Sequence, residues 1–158
     1  MTDLVQGAPL VATGQRVVVC MLAGQEYGLH ADMVHEVLQM VAVTPLSNAP
    51  DWLAGVIDLR GRIIPVIDLR LRLGLSSMTW QLSTPIIVAG FGWHVAGLVA
   101  DSVVGIEAVA GAGLAGSDDS GAGTTIIRGV ARIESRLLPI IDVAATCDGV
   151  GDFVRWAT

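Results

Sequence analysis

Apolar positions in this chain come in short runs broken by turn residues, a rhythm of strands rather than of long helices. Val17 to Leu22 is a β-branched run, and Ala23-Gly24-Gln25-Glu26 supplies a turn into Tyr27 to Ala31. Gly55 to Leu59 and Ile63 to Leu69 read as two strands around Arg60-Gly61-Arg62, where glycine supplies a positive φ. Asp32 is placed as the N-cap of a brief helix running through Leu38, with Glu36 in its first turns. Asp101 stands in the same position before a second helix, which Gly105 weakens. Pro65 and Pro139 cannot donate to a ladder and belong at an edge or a bulge.

The pattern repeats. Gly55-Val56-Ile57-Asp58-Leu59-Arg60-Gly61-Arg62-Ile63-Ile64-Pro65-Val66-Ile67-Asp68 returns 74 positions later as Gly129-Val130-Ala131-Arg132-Ile133-Glu134-Ser135-Arg136-Leu137-Leu138-Pro139-Ile140-Ile141-Asp142. Val17-Val18-Val19-Cys20 and Gly28-Leu29-His30-Ala31-Asp32 return 69 positions later as Ile86-Ile87-Val88-Ala89 and Gly97-Leu98-Val99-Ala100-Asp101. The five-residue difference is an insertion, and it falls in the Gly/Ala/Ser/Asp stretch Gly111 to Gly123, which reads as a solvated loop. Five short strands per copy suggest a small β-barrel that closes its own edges. A copy of about 70 residues has a meagre core alone, so two copies packed face to face are expected.

Composition sharpens this. Hydrophobic residues make up 53% of the 158 and charged residues 15%, far too apolar for a disordered chain. Nine bases, all arginine, face 15 acids, giving a net charge of −6 and no basic run to grip a phosphate backbone. Nucleic acid is not an expected partner. The uncharged stretch Leu73 to Ala100 is interrupted by Ser, Thr, Gln, Pro and Gly residues and does not read as a membrane span, which needs about 20 mainly apolar residues. The opening residues do not read as a secretory signal, so none is expected, and Cys20 and Cys147 read as buried thiols of a protein in a reducing cytoplasm.

Candidate chemistry is sparse. His30, His35 and His94 are scattered without metal-ligand spacing, so no metal or cofactor is expected. No hydroxyl or thiol sits in a nucleophile motif. Asp68 and Asp142 recur symmetrically, which raises the reading of a two-lobed aspartate hydrolase. Neither is followed by the small hydroxyl residue and glycine such a dyad uses, and capping of the following turn accounts for both. Arg62 and Arg136 also recur and suit a structural ion pair or strand packing. Arg60, at the tip of an apolar hairpin, suits a bidentate contact with a carboxylate. Trp52 is expected to pack beneath that hairpin, while Trp156 either pins the terminus or lies in a disordered tail.

The segment Gly55 to Arg70 resembles the signature of the CheW-like family, close to G-V-I-N-L-R-G-x-I-x-P-V-x-D-L-R. Tyr27-Gly28-Leu29, Val34-x-Glu36-Val37-Leu38, Asn48-Ala49-Pro50, Val95 to Asp101 and Gly129 to Asp142 fall at the family's spacing, so the resemblance spans about Arg16 to Cys147. It implies a mainly β fold of two SH3-like five-stranded β-barrels related by a pseudo-two-fold internal repeat, with short helices. On that reading residues 1–158 form a single CheW-like domain. Barrel one covers about 16–75 and barrel two about 84–147, with strand exchange between the halves allowed and flexible termini at 1–14 and 150–158. The resemblance also implies a cytoplasmic adaptor, recruited to membrane receptor arrays without inserting in the membrane. Its partners would be the chemoreceptor cytoplasmic tip and the regulatory domain of a CheA-type histidine kinase. Receptor contacts would involve Val34, Glu36, Gly55, Asp58, Arg60 and Gly97, and kinase contacts Ala31 and Val34. The output is swimming chemotaxis or, as an alternative, pilus motility or another response. One position departs from the family pattern: Asp58 stands where asparagine is usual, so an acceptor-only carboxylate replaces a group that both donates and accepts.

Overall fold

The computed structural model describes residues 11–114 and 126–156. Strands β1 (Arg16–Leu22), β2 (Gln25–His30), β3 (Val34–Gln39), β4 (Leu53–Leu59), β5 (Arg62–Asp68), β6 (Pro85–Phe91), β7 (His94–Val99), β8 (Ser102–Ala108), β9 (Gly111–Leu114), β10 (Ile127–Ile133) and β11 (Arg136–Ile141) form two sheets. Their orders are β8-β1-β2-β11-β10-β9 and β3-β6-β7-β5-β4. Replacing each strand by its repeat equivalent turns the second order into the first five strands of the other. The fold is mainly β, and each sheet takes strands from both copies of the repeat.

Two pairings in each sheet join the copies, an antiparallel one (β1 with β8, β3 with β6) and a parallel one. Val66 of β5 pairs with Gly97 of β7, and their equivalents Ile140 of β11 and Gly28 of β2 pair in the same way. All other pairings are antiparallel. Pro65 and Pro139 do not sit on edge strands, because β5 and β11 each have neighbours on both sides. They stand one residue before the parallel pairing begins, where a missing N–H costs no ladder bond on that side. On the other side each lies near the bulge in its hairpin partner, between Leu53 and Gly55 in one copy and Ile127 and Gly129 in the other.

Burial on both faces explains why the strands read as nearly continuous apolar runs. Val17, Val19, Ala131, Ile133, Leu138 and Ile140 fill a core inside the six-stranded sheet. Ile57, Ile64, Val66, Ile86, Val88 and Val99 fill its counterpart in the five-stranded sheet. A third cluster, with Cys20, Leu22 and Leu29 from one sheet and Leu53, Ile67, Ile87 and Leu98 from the other, lies between the two. In β1 the ordinary alternation of a strand sends 17 and 19 to one core and 20 and 22 to the other.

Three sequence expectations fail here. The helix through Leu38 is a single 3-10 turn, Ala31–Met33, followed at once by β3. Its cap is His30, whose Nδ1 accepts from the Asp32 N–H at 3.2 Å. Val34 to Gln39 alternates half-buried and exposed, the period of a strand, and pairing with β6 overrides the local cap signal. Asp101 likewise leads into β8 rather than a helix. The expected loop at Gly111 opens instead as β9, paired with β10, and its remainder, 115–125, lies outside the described residues. At the chain ends Val11 and Val150 are buried, and Trp156 packs its ring against Phe91 and His94 at 6.0 and 4.4 Å between centroids. Residues 1–10 and 157–158 lie outside the described residues.

Candidate functional site

The signature hairpin β4–β5 turns through Arg60 and Gly61, both with positive φ, 52° and 87°. Two successive positive φ values make the mirror-image turn that matches strand twist. Asp58 fixes it from below: its Oδ1 accepts from the Gly61 N–H at 2.7 Å. Only an acceptor is needed there, so aspartate in place of asparagine leaves the turn intact. With Asp58 so engaged, Arg60 reaches across to Glu36 on β3 and forms an ion pair through Nη2. The guanidinium side chain stays 69% exposed and Glu36 32%. Because β3 and β4 are the two outer strands of their sheet, this pair links its opposite margins. In the other sheet Arg136 of β11, the repeat equivalent of Arg62, bonds Glu107 on the outer strand β8 and Glu26 on β2.

The remaining site residues suggested by the sequence differ in kind. Gly55 is buried in β4 with φ 151°, and a Cβ there would stand 2.1 Å from the Thr44 carbonyl oxygen. That segment is bonded to β4 through reciprocal Thr44–Val56 backbone bonds of 2.9 Å, which cover its open edge. Gly97 is buried at the parallel crossing, where a Cβ would meet Ile86 Cγ2 at 2.7 Å. Neither glycine has a side chain to offer a partner. Their positions hold the backbone under the hairpin. Ala31 and Val34 flank the 3-10 turn, half-buried, with Val34 packed on the shared core. The charged group at this margin is therefore Glu36, Asp58 and Arg60, with Val34 at the start of the same strand as Glu36 and Ala31 in the 3-10 turn before it.

Two features of this region carry no motif in the sequence. Arg62, the first residue of β5, donates through Nη2 to the Trp93 carbonyl at 3.0 Å. This ties the β6–β7 turn to the signature hairpin. The sheets themselves are fastened by two arginines in the helical turn Leu69–Arg72. Arg70 grips Asp101 with Nε–Oδ1 2.8 Å and Nη2–Oδ2 2.6 Å, and Asp101 also accepts from Ala23 N at 2.8 Å in the β1–β2 turn. The bond from Arg70 holds the Asp101 carboxyl below its ordinary pKa, against the opposing effect of burial. Arg72 donates to the carbonyls of Thr146, Ala145 and Asp148 at 2.9, 3.2 and 3.3 Å and lies 4.2 Å over the Trp52 ring. Trp52 thus sits against the core just ahead of the hairpin.

The candidate chemistry is absorbed by structure. Asp68 and Asp142 each cap the helical turn that follows, accepting from Leu71 N at 3.3 Å and Ala145 N at 3.2 Å. Burial pushes the Asp68 carboxyl above its usual value. Both cysteines are buried, and burial pushes both thiols up to about 12, which leaves no thiolate nucleophile near neutral pH. Among the described residues no group of three or more His, Cys, Asp or Glu could hold a metal ion, and no helix is long and apolar enough to cross a membrane.

Comparison with known proteins places this geometry. The CheW-like domain family matches residues 16–150. The chemotaxis protein CheW of Klebsiella aerogenes is 30% identical over 132 residues, 82% of this chain and 80% of its own length. Protein FrzA of Myxococcus xanthus is 35% identical over 82 residues, 52% of this chain and 51% of its own. The crystal structure of the scaffolding protein TtCheW from Thermoanaerobacter tengcongensis superposes with a TM-score of 0.74 at 28% identity, covering 90% of this chain and 99% of that one.

Proposed function

The chain belongs to the CheW-like family, and from that premise we propose that it is a scaffold coupling chemoreceptors to a CheA-type histidine kinase in chemosensory signalling. The observation that carries the reading is the agreement of sequence and fold over nearly the whole chain with proteins named for chemotaxis and scaffolding. The polar groups that could have served catalysis are engaged in caps and clasps, which supports an adaptor without catalytic activity or cofactor.

Within this reading the receptor tip docks on the rim of Glu36, Asp58 and Arg60, with Val34 beside it and Gly55 and Gly97 shaping the backbone beneath. The kinase regulatory domain meets Ala31 and Val34. The protein works in the cytoplasm and joins membrane arrays through its partners, as one CheW-like domain of two pseudo-equivalent units. A second reading, an adaptor for pilus motility or another output, draws support from the likeness to FrzA.

The test is a pull-down from native lysate with the tagged full chain, read by mass spectrometry. A histidine kinase and a chemoreceptor are expected together. Recovery of neither, from cells that express both, would contradict the proposal.

A further inference from the structure

Trp93 has no structural reason to be a tryptophan. It is 85% exposed at the tip of the β6–β7 turn, Gly92-Trp93, although it carries one of the largest apolar side chains available. The repeat equivalent of this turn, between β1 and β2, is Ala23-Gly24, so a two-residue turn between the corresponding strands is made there with small residues. No packing requirement calls for an indole there.

The turn beneath it is held from two directions. Arg62 donates to the Trp93 carbonyl at 3.0 Å. Phe91 and His94, on either side of the turn, pack edge-on to each other at 4.9 Å and both rest on Trp156. The indole is therefore carried on a fixed base, and little backbone ordering remains to oppose its use in binding. Register places it at the proposed receptor rim. Phe91 ends β6 next to the start of β3, where Val34 pairs with Ala89 and Glu36 with Val88. Trp93 meets Arg62, two residues after Arg60. The rim so formed sets the exposed indole beside Arg60, whose side chain is 69% exposed against 32% for its ion-pair partner Glu36, while Asp58 is engaged by the Gly61 N–H. The outer member of the ion pair is thus the cation, which with the indole beside it suits a partner face both acidic and apolar.

We propose that Trp93 is the aromatic anchor of the receptor-docking rim, inserting into an apolar recess on the receptor tip while Arg60 meets an acidic group beside it. The inference rests on the adaptor reading and names the side chain that dominates one of its contacts. Large, rigid aromatics at the centre of an interface carry a disproportionate share of affinity, and arginine is their usual companion.

The experiment compares Trp93→Ala with Leu82→Ala, an equally exposed apolar residue before β6. Each full-length variant is titrated with a soluble fragment of the chemoreceptor tip and, separately, with the kinase regulatory domain. W93A is expected to weaken tip binding by about tenfold or more, with kinase-domain affinity unchanged. L82A is expected within about twofold of the parent for both. A second readout needs no variant that could misfold: in the 5-fluorotryptophan-labelled parent chain, the Trp93 fluorine resonance shifts on adding the tip and not on adding the kinase domain. W93A binding the tip as the parent does, or W93A and L82A weakening it alike, overturns the inference while leaving the adaptor reading in place. So does a Trp93 resonance that stays put when the tip is bound. A parent chain that binds no tip overturns both.

Discussion

The guanidinium of Arg72 donates through Nε to the Thr146 carbonyl at 2.9 Å, and these two residues occupy the same position in the two copies of the repeat, 74 apart. A contact between equivalent positions lies at the pseudo-two-fold axis. Arg72 therefore fastens the sheets where they meet, and it simultaneously covers the Trp52 ring ahead of the signature hairpin.

Arg72→Ala leaves three carbonyls of the second helical turn without this donor and uncovers Trp52. The expected cost is about 2 kcal/mol of unfolding free energy, measured by urea denaturation. Arg72→Lys is expected to recover only part of it, because an ammonium lacks the planar fork that reaches several carbonyls at once. Equal stability of all three proteins would show that the clasp is ornamental.

Asp68 and Asp101 both lie beside Arg70, yet their pKa shifts have opposite signs. Asp101 is depressed, so its contribution to stability is complete above the unfolded value near 3.9 and disappears as pH falls through the lower folded value. Asp68 is raised by burial, so its contribution is complete below about 3.9 and is lost as pH rises through the folded value. Asp101→Asn should lower the melting point at pH 7 by about 5 °C or more and flatten the acid limb of the stability profile. Asp68→Asn keeps an acceptor for the Leu71 N–H and removes a buried charge, so it should hold or raise the melting point at pH 7. Thermal melts across pH 3–8 check both; an Asp68→Asn protein that melts lower at pH 7 than at pH 4, relative to the parent, contradicts the assignment.

Gly55→Ala and Gly97→Ala separate backbone roles from contact roles. At Gly55 the added methyl meets a carbonyl oxygen at 2.1 Å and the φ of 151° disfavours any side chain, so a loss of about 2–4 kcal/mol is expected. At Gly97 the neighbour is the end of the Ile86 side chain, which can turn, and the loss should be smaller. Reduced receptor coupling in Gly55→Ala should track reduced folding, read by comparing circular dichroism melts with binding. Full stability with lost binding would make Gly55 part of the contact itself.

Much of this was legible in the chain. The repeat, the Arg60 hairpin and the capping aspartates all depend on local spacing, and the structure carries them over. The strand at Val34 was missed because Asp32 mimics a helix cap, while the decisive force, pairing with β6 some fifty residues later, leaves no local mark. β9 was missed for a related reason: Gly-Ala-Gly-Leu has weak strand preference and is held by β10. The clasps made by Arg70 and Arg72 join residues 31 and 74 apart and have no motif. One signal was available for the rim: a tryptophan at 93 where the other copy of the turn has Gly24.

Charge reversal at Arg60 tests the ionic part of the rim. The pair with Glu36 is exposed, so Arg60→Glu should change the melting temperature by no more than about 2 °C while weakening receptor-tip binding. The exchange Glu36→Arg with Arg60→Glu re-forms an ion pair with reversed sense. If tip binding stays weak in the double variant, Arg60 itself meets the partner. Recovery would mean that linking the two sheet margins was its only task.

The most direct measurement of the central claim is receptor-dependent kinase activity rebuilt from purified parts: kinase, receptor in membranes, and this chain. Phosphotransfer from ATP to the kinase should rise sharply when the chain is added, fall back with Arg60→Glu, and be unaffected by the chain when receptor is left out. Kinase activity that is the same with and without the chain, in the presence of receptor, would contradict the account.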